Sequence, residues 1–441
     1  MIRGKQGSLT VFLCWIMIFF LSFCLVLVEG SRLYYLRARA ALAMELAEFS
    51  ILSEYQYELF CHYGVFFLDL DYEQGTQRTD VLKQRFNAYL IKNAPEIFNV
   101  SFRTGNYRRA TDQEGLPFFC QAVELMKVKS GYHFIENLTA GMGTGFQEDV
   151  DLGKIIEENS SEVQSLLGNY VDEEGLPLFR ISLPNVSFPS INALKEAVFG
   201  SETALSDKTI NPEERILKRT LQQGNGRKAE SSLMDIQWFH GYLFEYFSCY
   251  GSKNSKALKS SLEYQLEYVI CGEESDQKNL ENIMWRIFML RAVGNYLKFH
   301  QEPERIARAQ AEAAALAGIT GNAAIVNLVR ELLLVAQAIE EGMQDTRKIF
   351  AGEKIEGIGY EQYLYLFLNT TNRKQKIYRS MDVIEMEVRQ KSGYEKFCMD
   401  HCVDGFEGEW TWRTQSLFQK IPLTDGDFYE NTVERLFYYE T

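Results

Sequence analysis

The chain of 441 residues lacks the short motifs that mark the commonest catalytic and nucleotide-binding sites. It contains no H-E-x-x-H, no G-x-S-x-G and no G-x-x-x-x-G-K-[ST]. The first absence excludes the zincin type of metalloprotease, the second the hydrolases with a nucleophile elbow, and the third the common phosphate-cradling loop. We therefore predict a protein without enzymatic activity, with no catalytic residue and no cofactor.

Basic side chains and prolines are also scarce. Lysine and arginine number 46 against 60 aspartates and glutamates, which gives a formal net charge of −14 at pH 7. A chain of that sign repels the phosphates of nucleic acids, so we exclude nucleic acid as a partner. Only 8 prolines are present, and this number excludes the collagen-like and proline-rich linker classes.

The chain does contain one long apolar run near its N-terminus. The 21 residues Ser8–Val28 carry no charge, and about 20 apolar residues are needed to cross a bilayer core of about 30 Å. This length exceeds the apolar part of most cleaved signal peptides. We predict a transmembrane anchor over Leu9–Val28. Two alternatives stay open, a buried core helix and a cleaved signal with a mature start at Ser31.

Charges on both sides of this run bear on its orientation. Arg3 and Lys5 precede it and favour a cytoplasmic N-terminus, while Arg32, Arg37 and Arg39 follow it. The positive-inside rule alone is therefore not decisive. Because a short basic head stands before the run and a large part of the chain stands after it, we predict a signal anchor. The protein would then be a single-pass protein of the cell membrane, with the bulk of the chain extracytoplasmic.

The segment before the apolar run is short and basic and ends at Gly7. It resembles the leader of type IV pilin-like precursors, which are cut after a glycine on the cytoplasmic side. The glutamate that usually stands five residues beyond the cut is replaced by Phe12. The resemblance makes the bond between Gly7 and Ser8 the candidate site of leader processing.

The segment beyond the apolar run has the pattern of a helix. Residues 31–60 contain neither glycine nor proline, and apolar side chains recur there at every third or fourth position. That spacing is typical of an amphipathic helix. We predict one continuous helix from Leu9 to Tyr63, half of it in lipid and half as a stalk beneath a folded head.

Short apolar or alternating segments predict strands in two widely separated parts of the chain. Val65–Leu68 and Phe98–Phe102 belong to the first part, and Phe406–Arg413 to the second. We expect these strands to pair into one small antiparallel sheet, so that the helical chain between them is an insertion. The predicted fold class is α+β, predominantly helical, with a long N-terminal transmembrane and stalk helix, a small antiparallel sheet and a large helical insertion.

Four segments follow from this interpretation. Residues 1–63 form the anchor and stalk, 64–200 an α+β head with irregular loops, 201–392 a helical domain, and 393–441 the C-terminal strands that complete the head. The irregular stretch 201–231 indicates a boundary. Helices are predicted at 80–93, 116–138, 233–247, 256–270, 277–300, 304–317, 323–350 and 360–390.

Eight cysteines are present, and the closest pair outside the apolar run is Cys398 and Cys402, with His401 between them. On a helix, thiols four residues apart share one face, where they can form a disulfide or hold a metal. A zinc site usually needs a second pair of ligands, and the other adjacent combination, Cys61 and His62, is distant in the sequence. We predict a thiol pair at Cys398 and Cys402, free or linked in a disulfide, and keep a metal site as the alternative.

Six segments of the sequence are distinctive. They are Gly7–Phe12, Glu29–Leu33, Tyr63–Asp69, Leu183–Ser190, Leu262–Gly272 and Asp345–Gly352. In these segments the chain resembles an uncharacterised family of membrane-anchored proteins of Gram-positive bacteria, whose genes often lie near those of Tad (tight-adherence) pilus systems. The domain that defines this family has no known function. The resemblance therefore implies a place in the envelope beside a pilus or secretion machine, and it implies no role for any residue.

Two functions are consistent with these features. We expect a non-enzymatic, membrane-anchored extracytoplasmic protein that is an assembly or minor pilin-like component of a Tad-type pilus or secretion system, with protein partners in that assembly. The alternative is a membrane-tethered extracytoplasmic enzyme or ligand-binding module without a recognisable motif. It predicts a concave pocket in which carboxylates meet some of His240, His300, His401, Cys398 and Cys402.

Overall fold

The computed structural model describes residues 6–71, 79–93, 99–130, 167–171, 177–181, 188–200, 205–229, 232, 235–252, 258, 261–317, 323–415 and 428–439. Two compact units are distinguished by their internal contacts. Unit 1 comprises residues 1–121, 221–230 and 393–441, and unit 2 comprises residues 122–220 and 231–392. The chain therefore leaves unit 1 and returns to it twice.

Helices predominate among the described residues. They are α1 (Gln6–Leu52), α2 (Tyr57–Tyr63), α3 (Thr79–Asn93), α4 (Asp112–Ser130), α5 (Ile191–Phe199), α6 (Asp235–Tyr246), α7 (Gln265–Cys271), α8 (Asp276–Gln301), α9 (Pro303–Ala317), α10 (Ala323–Phe350), α11 (Tyr360–Thr370) and α12 (Arg373–Arg389). The strands are β1 (Leu68–Asp69), β2 (Asn99–Arg109), β3 (Leu167–Val171), β4 (Pro177–Ile181), β5 (Cys402–Gln415) and β6 (Phe428–Tyr438). The predicted fold class is confirmed.

The predicted continuous helix from Leu9 to Tyr63 is wrong at one point, because α1 ends at Leu52 and α2 begins at Tyr57. The break has a side-chain cause. The carboxamide oxygen of Gln56 accepts hydrogen bonds from the backbone N–H groups of Glu58 at 2.6 Å and Leu59 at 3.2 Å. Such a cap starts a new helix, and apolar spacing alone does not reveal it.

Unit 1 contains the predicted sheet built from distant segments. In this four-stranded antiparallel sheet the central strand β5 pairs with β1 and β2, and β6 also pairs with β5. Phe102 of β2 lies opposite Trp410 of β5, and Trp410 lies opposite Val433 of β6. The strand predicted at Val65–Leu68 lies slightly later in the chain, at Leu68–Asp69.

The core of unit 1 joins the second half of α1 to this sheet. Buried residues of α1 form one stripe, namely Leu36, Ala40, Met44, Ala47 and Ile51, and belong to the same cluster as Phe86 of α3 and Phe102 of β2. The rings of Phe86 and Phe102 stack with centroids 4.0 Å apart. Arg32 of α1 also donates from Nη1 to the Gln415 carbonyl at 3.0 Å. This half of α1 is therefore part of the folded unit.

The residues 221–229, part of the predicted boundary stretch, run along β2 in unit 1. The backbone N–H of Gly226 donates to the Tyr107 carbonyl at 3.0 Å. At Gly224 a Cβ would lie 2.0 Å from the same carbonyl oxygen, so glycine is required for this close approach. Asp112 accepts a hydrogen bond from the Gly224 N–H at 2.8 Å.

Unit 2 is built on closely packed helices. A Cβ on Gly342 of α10 would lie 3.0 Å from the backbone nitrogen of Ala292 in α8, so these two helices cross at short distance. The predicted helix 360–390 is two helices, because the Asn372 side chain accepts a hydrogen bond from the Lys374 N–H at 2.9 Å and caps α12. Capping again decides where a helix begins.

The helix predicted at 256–270 is shorter than expected, since α7 begins at Gln265. Residues 253–257, 259 and 260 lie outside the described residues. In the described part, the backbone N–H groups of Glu263 and Tyr264 donate to the Asp276 carboxylate at 2.8 Å and 3.2 Å. The N–H of Ser261 donates to Glu387 at 2.8 Å. These backbone N–H groups donate to carboxylates and cannot also donate to the carbonyls of a preceding helical turn. The helix α7 therefore does not begin before Gln265.

Candidate functional site

The first half of α1 has the properties of a membrane-spanning segment. Its most apolar stretch has a mean hydropathy of 3.0, and none of that stretch is buried in the protein. Large side chains such as Trp15 and Phe19 are 71% and 74% exposed. Among the described residues, α1 is the one helix that is long and apolar enough to cross a bilayer.

The residues predicted for leader processing, Gly7 and Ser8, lie in the first turn of α1. Cleavage between them stays a prediction.

The predicted thiol pair, Cys398 and Cys402, lies in unit 1 at the start of β5. Cys402 is fully buried and is the first residue of β5, and its Sγ is 3.7 Å from the Cys398 carbonyl oxygen. The residues between them, Met399–His401, form a single 3₁₀ turn rather than an α-helix. Both cysteines are free thiols in the structure. A disulfide that involves either of them stays a prediction.

The histidines of the alternative hypothesis contact different groups and do not contact one another. His240 Nε2 lies 2.9 Å from the Lys376 Nζ, and His300 Nε2 lies 3.1 Å from a Glu331 carboxylate oxygen. His401 Nδ1 is 3.7 Å from a carboxylate oxygen of Asp71. The structure therefore gives no support, within the described residues, to a pocket built around these histidines.

A different concave site lies within unit 2. It is a cavity of about 310 Å³ between the two 3₁₀ turns of residues 212–218, the C-terminal end of α7 and the middle of α12. Its lining includes Arg215, Lys218, Tyr268, Arg379 and Asp382. Of the eight lining residues three are basic and one is acidic.

The end of α7 brings two guanidinium groups to Gly272. Arg215 donates from Nη1 to the Gly272 carbonyl at 2.8 Å, and Arg379 donates from Nη1 to the Ile270 carbonyl at 2.7 Å. Gly272 has a φ of +76°, and a Cβ there would lie 2.4 Å from Cζ of Arg379. A glycine at the end of α7 is thus what allows the Arg379 guanidinium to lie against the chain.

Asp382 is the acidic member of the lining, and both its oxygens are occupied. One accepts from the Ile216 N–H at 2.7 Å and the other from the Tyr268 hydroxyl at 2.9 Å. Burial raises the pKa of Asp382 to about 7, against the opposing effect of the Ile216 hydrogen bond. Near neutral pH this carboxyl therefore carries only part of a negative charge.

Arg219 and Arg389 form a network of short ion pairs with Glu385 and Glu214. Arg219 binds Glu385 with both terminal nitrogens, at 2.9 Å and 2.7 Å, and Arg389 reaches Glu385 at 3.0 Å and Glu214 at 2.9 Å. These carboxylates are held by Arg219 and Arg389. Arg215 forms no ion pair with any described residue.

Three further buried titratable side chains lie in unit 2, namely Glu267, Lys376 and His240. Glu267 is fully buried, and its Oε1 accepts from the Tyr250 N–H at 2.7 Å and the Tyr360 hydroxyl at 2.6 Å. Burial raises the pKa of Glu267 to about 7. Burial also lowers the pKa of Lys376 to about 8 and that of its neighbour His240 to about 3. These side chains are buried, and their hydrogen-bond partners are neighbouring protein atoms.

Sequence reasoning missed the cavity because its residues are far apart in the chain. One signal was present, since Tyr268 and Gly272 belong to the distinctive segment Leu262–Gly272. The basic residues Arg215, Lys218 and Arg219 are also close together in the sequence, but they lie in the stretch 201–231, whose irregular composition predicts a boundary.

Comparison with known proteins yields one family. A model described as a family of unknown function, DUF5702, matches residues 189–356 and 354–414, which together are just over half of the chain. The basic cavity lies entirely within the matched residues. No curated protein and no solved structure matches the chain.

Proposed function

Because the chain belongs to the DUF5702 family, whose function is unknown, we propose a function from its architecture. The protein is a non-enzymatic, membrane-anchored extracytoplasmic protein, and it is an assembly or minor pilin-like component of a Tad-type pilus or secretion system. It lies in the cell membrane as a single-pass protein with its N-terminus cytoplasmic.

The division of α1 into two halves carries this proposal. Side chains of the first half are exposed and apolar, as lipid requires, whereas Leu36, Met44 and Ile51 of the second half are buried in unit 1. One helix thus connects a lipid-facing segment to the core of a folded unit. This arrangement supports a subunit held at the membrane surface by a helix that continues into its own core, as in pilin-like proteins.

The experiment is cross-linking of the full chain in the membranes of the cells that make it. A photoreactive residue at Phe49, which is 62% exposed on the stalk half of α1, is compared with one at Arg308 on the surface of unit 2. We expect adducts with pilus or secretion subunits from Phe49 and fewer from Arg308. Recovery of no such subunit from either position would contradict the assembly role.

The basic cavity favours a second candidate function, a membrane-tethered ligand-binding module. Its volume of about 310 Å³ is at the lower end of the range of about 300 to 1,000 Å³ that is typical of small-molecule sites. The two functions are compatible, since the anchor and the cavity use different residues.

A further inference from the structure

The apolar half of α1 gives a depth scale for unit 1. Residues 8–28 carry no charge and are about 30 Å long as a helix, which matches the hydrocarbon core of a bilayer. This inference rests on the proposed function, in which these residues cross the membrane, so that Val28 marks the outer edge of the hydrocarbon. The headgroup layer occupies about the next 5 to 7 Å. Each residue of α1 beyond Val28 lies about 1.5 Å further out.

The folded unit begins directly at this edge. Glu29, the residue after Val28, is only 6% exposed. Arg32 lies about 6 Å outside the hydrocarbon, and its Nη1 is 3.1 Å from the Glu29 carboxylate. The same guanidinium donates to the Gln415 carbonyl at 3.0 Å and to the Thr414 hydroxyl at 3.1 Å. The last two residues of β5 therefore lie at the depth of the headgroup layer.

The strands of the sheet run along α1, away from this layer. At the membrane end Thr414 of β5 pairs with Tyr429 of β6, and just beyond the other end of β6 the Tyr439 hydroxyl donates to the Leu52 carbonyl at 2.6 Å. From Arg32 to Leu52 the helix rises about 30 Å. The strand from Tyr429 to Tyr439 spans about 33 Å. Because these lengths are similar, the strands are nearly parallel to α1, and one end of the sheet faces the membrane.

Exposed aromatic side chains lie at the same depth. Tyr34 and Tyr35 of α1 are 78% and 57% exposed. Their backbones are about 9 to 10 Å outside the hydrocarbon, and side chains of a helix lean toward its N-terminus. The two rings therefore extend back into the headgroup layer. Tyrosine is enriched at this level of membrane proteins because its ring is apolar and its hydroxyl is polar.

We propose that unit 1 binds the surface of the bilayer directly, with Tyr34, Tyr35 and the end of β5 among the phospholipid headgroups. The bilayer is the partner because the helix that crosses it also contacts the end of β5, through Arg32, just outside the hydrocarbon. Contacts with lipid from both α1 and β5 restrict the tilt of unit 1. The opposite end of the sheet, near Tyr439, then faces away from the membrane.

The test is photo-cross-linking of the purified full chain in phosphatidylcholine vesicles. One photoreactive residue replaces Tyr35, Gln415 or Phe49 in turn, and lipid adducts are measured by mass spectrometry. Phe49 is the matched control, because it is on the same helix with a similar exposure of 62% and lies about 32 Å outside the hydrocarbon. We expect several-fold more lipid adduct from Tyr35 and Gln415 than from Phe49.

A fourth position, Phe19 in the apolar half of α1, separates this proposal from the anchor on which it rests. Phe19 is expected to form adducts with the acyl chains. If it does so while Tyr35 and Gln415 form no more adduct than Phe49, the surface contact is overturned and the anchor stands. If Phe19 forms no lipid adduct, the anchor and the surface contact are both overturned. The replaced side chains are exposed, so the fold should tolerate each change.

Discussion

Replacement of Glu267 by glutamine should change how the stability of unit 2 depends on pH. Glu267 is fully buried in α7, and burial raises the pKa of its carboxyl to about 7. Its Oε1 accepts from the Tyr250 N–H and the Tyr360 hydroxyl, and the oxygen of a glutamine amide can accept the same two bonds. E267Q therefore resembles the protonated form of the wild type at every pH.

The expected magnitude follows from linkage between proton binding and folding. A carboxyl whose pKa is raised in the folded state stabilises that state most below its unfolded pKa, 4.5, and this stability is lost as the pH rises through about 7. One pKa unit corresponds to about 1.4 kcal/mol, so the wild type should lose about 2 to 3 kcal/mol between pH 5 and pH 8 through this group. The glutamine of E267Q does not titrate in this range. The free energy of unfolding of E267Q, relative to that of the wild type, should therefore be about 2 to 3 kcal/mol higher at pH 8 than at pH 5.

Urea unfolding of the full chain in detergent, followed by circular dichroism at pH 5 and pH 8, measures the effect. E353Q is the matched control, since Glu353 is exposed and its replacement should change stability little at either pH. The decisive quantity is the difference between E267Q and the wild type at the two pH values. If that difference is the same at pH 5 and pH 8, the pKa of the Glu267 carboxyl is not raised by burial in the folded protein.

Three further substitutions test the packing and the anchor. G272A introduces a Cβ 2.4 Å from Cζ of Arg379, at a position where φ is +76°. It should lower the free energy of unfolding, measured by urea titration, by about 1 to 3 kcal/mol. G352A is the control, since Gly352 has a φ of +89° but open space around it, and its effect should be smaller. F86A removes a buried ring from the core of unit 1 and should cost about 3 to 5 kcal/mol in the same assay. Ile18→Arg in the apolar half of α1 should disfavour membrane insertion by about 3 kcal/mol, which alkaline extraction of membranes detects, whereas Ile18→Leu should not.

The sheet of unit 1 was predictable because its signal is local. In β5 the buried side chains of Phe406, Trp410 and Trp412 alternate with the more exposed Glu407 and Glu409. A period of two is visible in one strand without knowledge of its partners. The long helices were predictable for the same reason, with α10 observed over the predicted residues.

Helix boundaries were less predictable because single side chains decide them. The apolar spacing beyond α1 reaches Tyr55, yet Gln56 caps a new helix there. Residues 369–376 contain no glycine or proline to mark a break, yet Asn372 caps a new helix within them. The cavity was not predictable at all. Arg215, Tyr268 and Arg379 each lie more than 50 residues from the next in the sequence. They line the same cavity only because the helices of unit 2 pack together.

In the proposed topology one N-terminal helix crosses the membrane and the folded chain lies outside. Cys61 tests it directly, because its thiol is exposed in α2, just beyond the stalk. Intact cells are treated with a membrane-impermeant maleimide, and the labelled peptide is identified by mass spectrometry, with C61S as the control. We predict that Cys61 is labelled in intact cells. Labelling that appears only after the cells are lysed would place α2 in the cytoplasm and exclude the proposed topology.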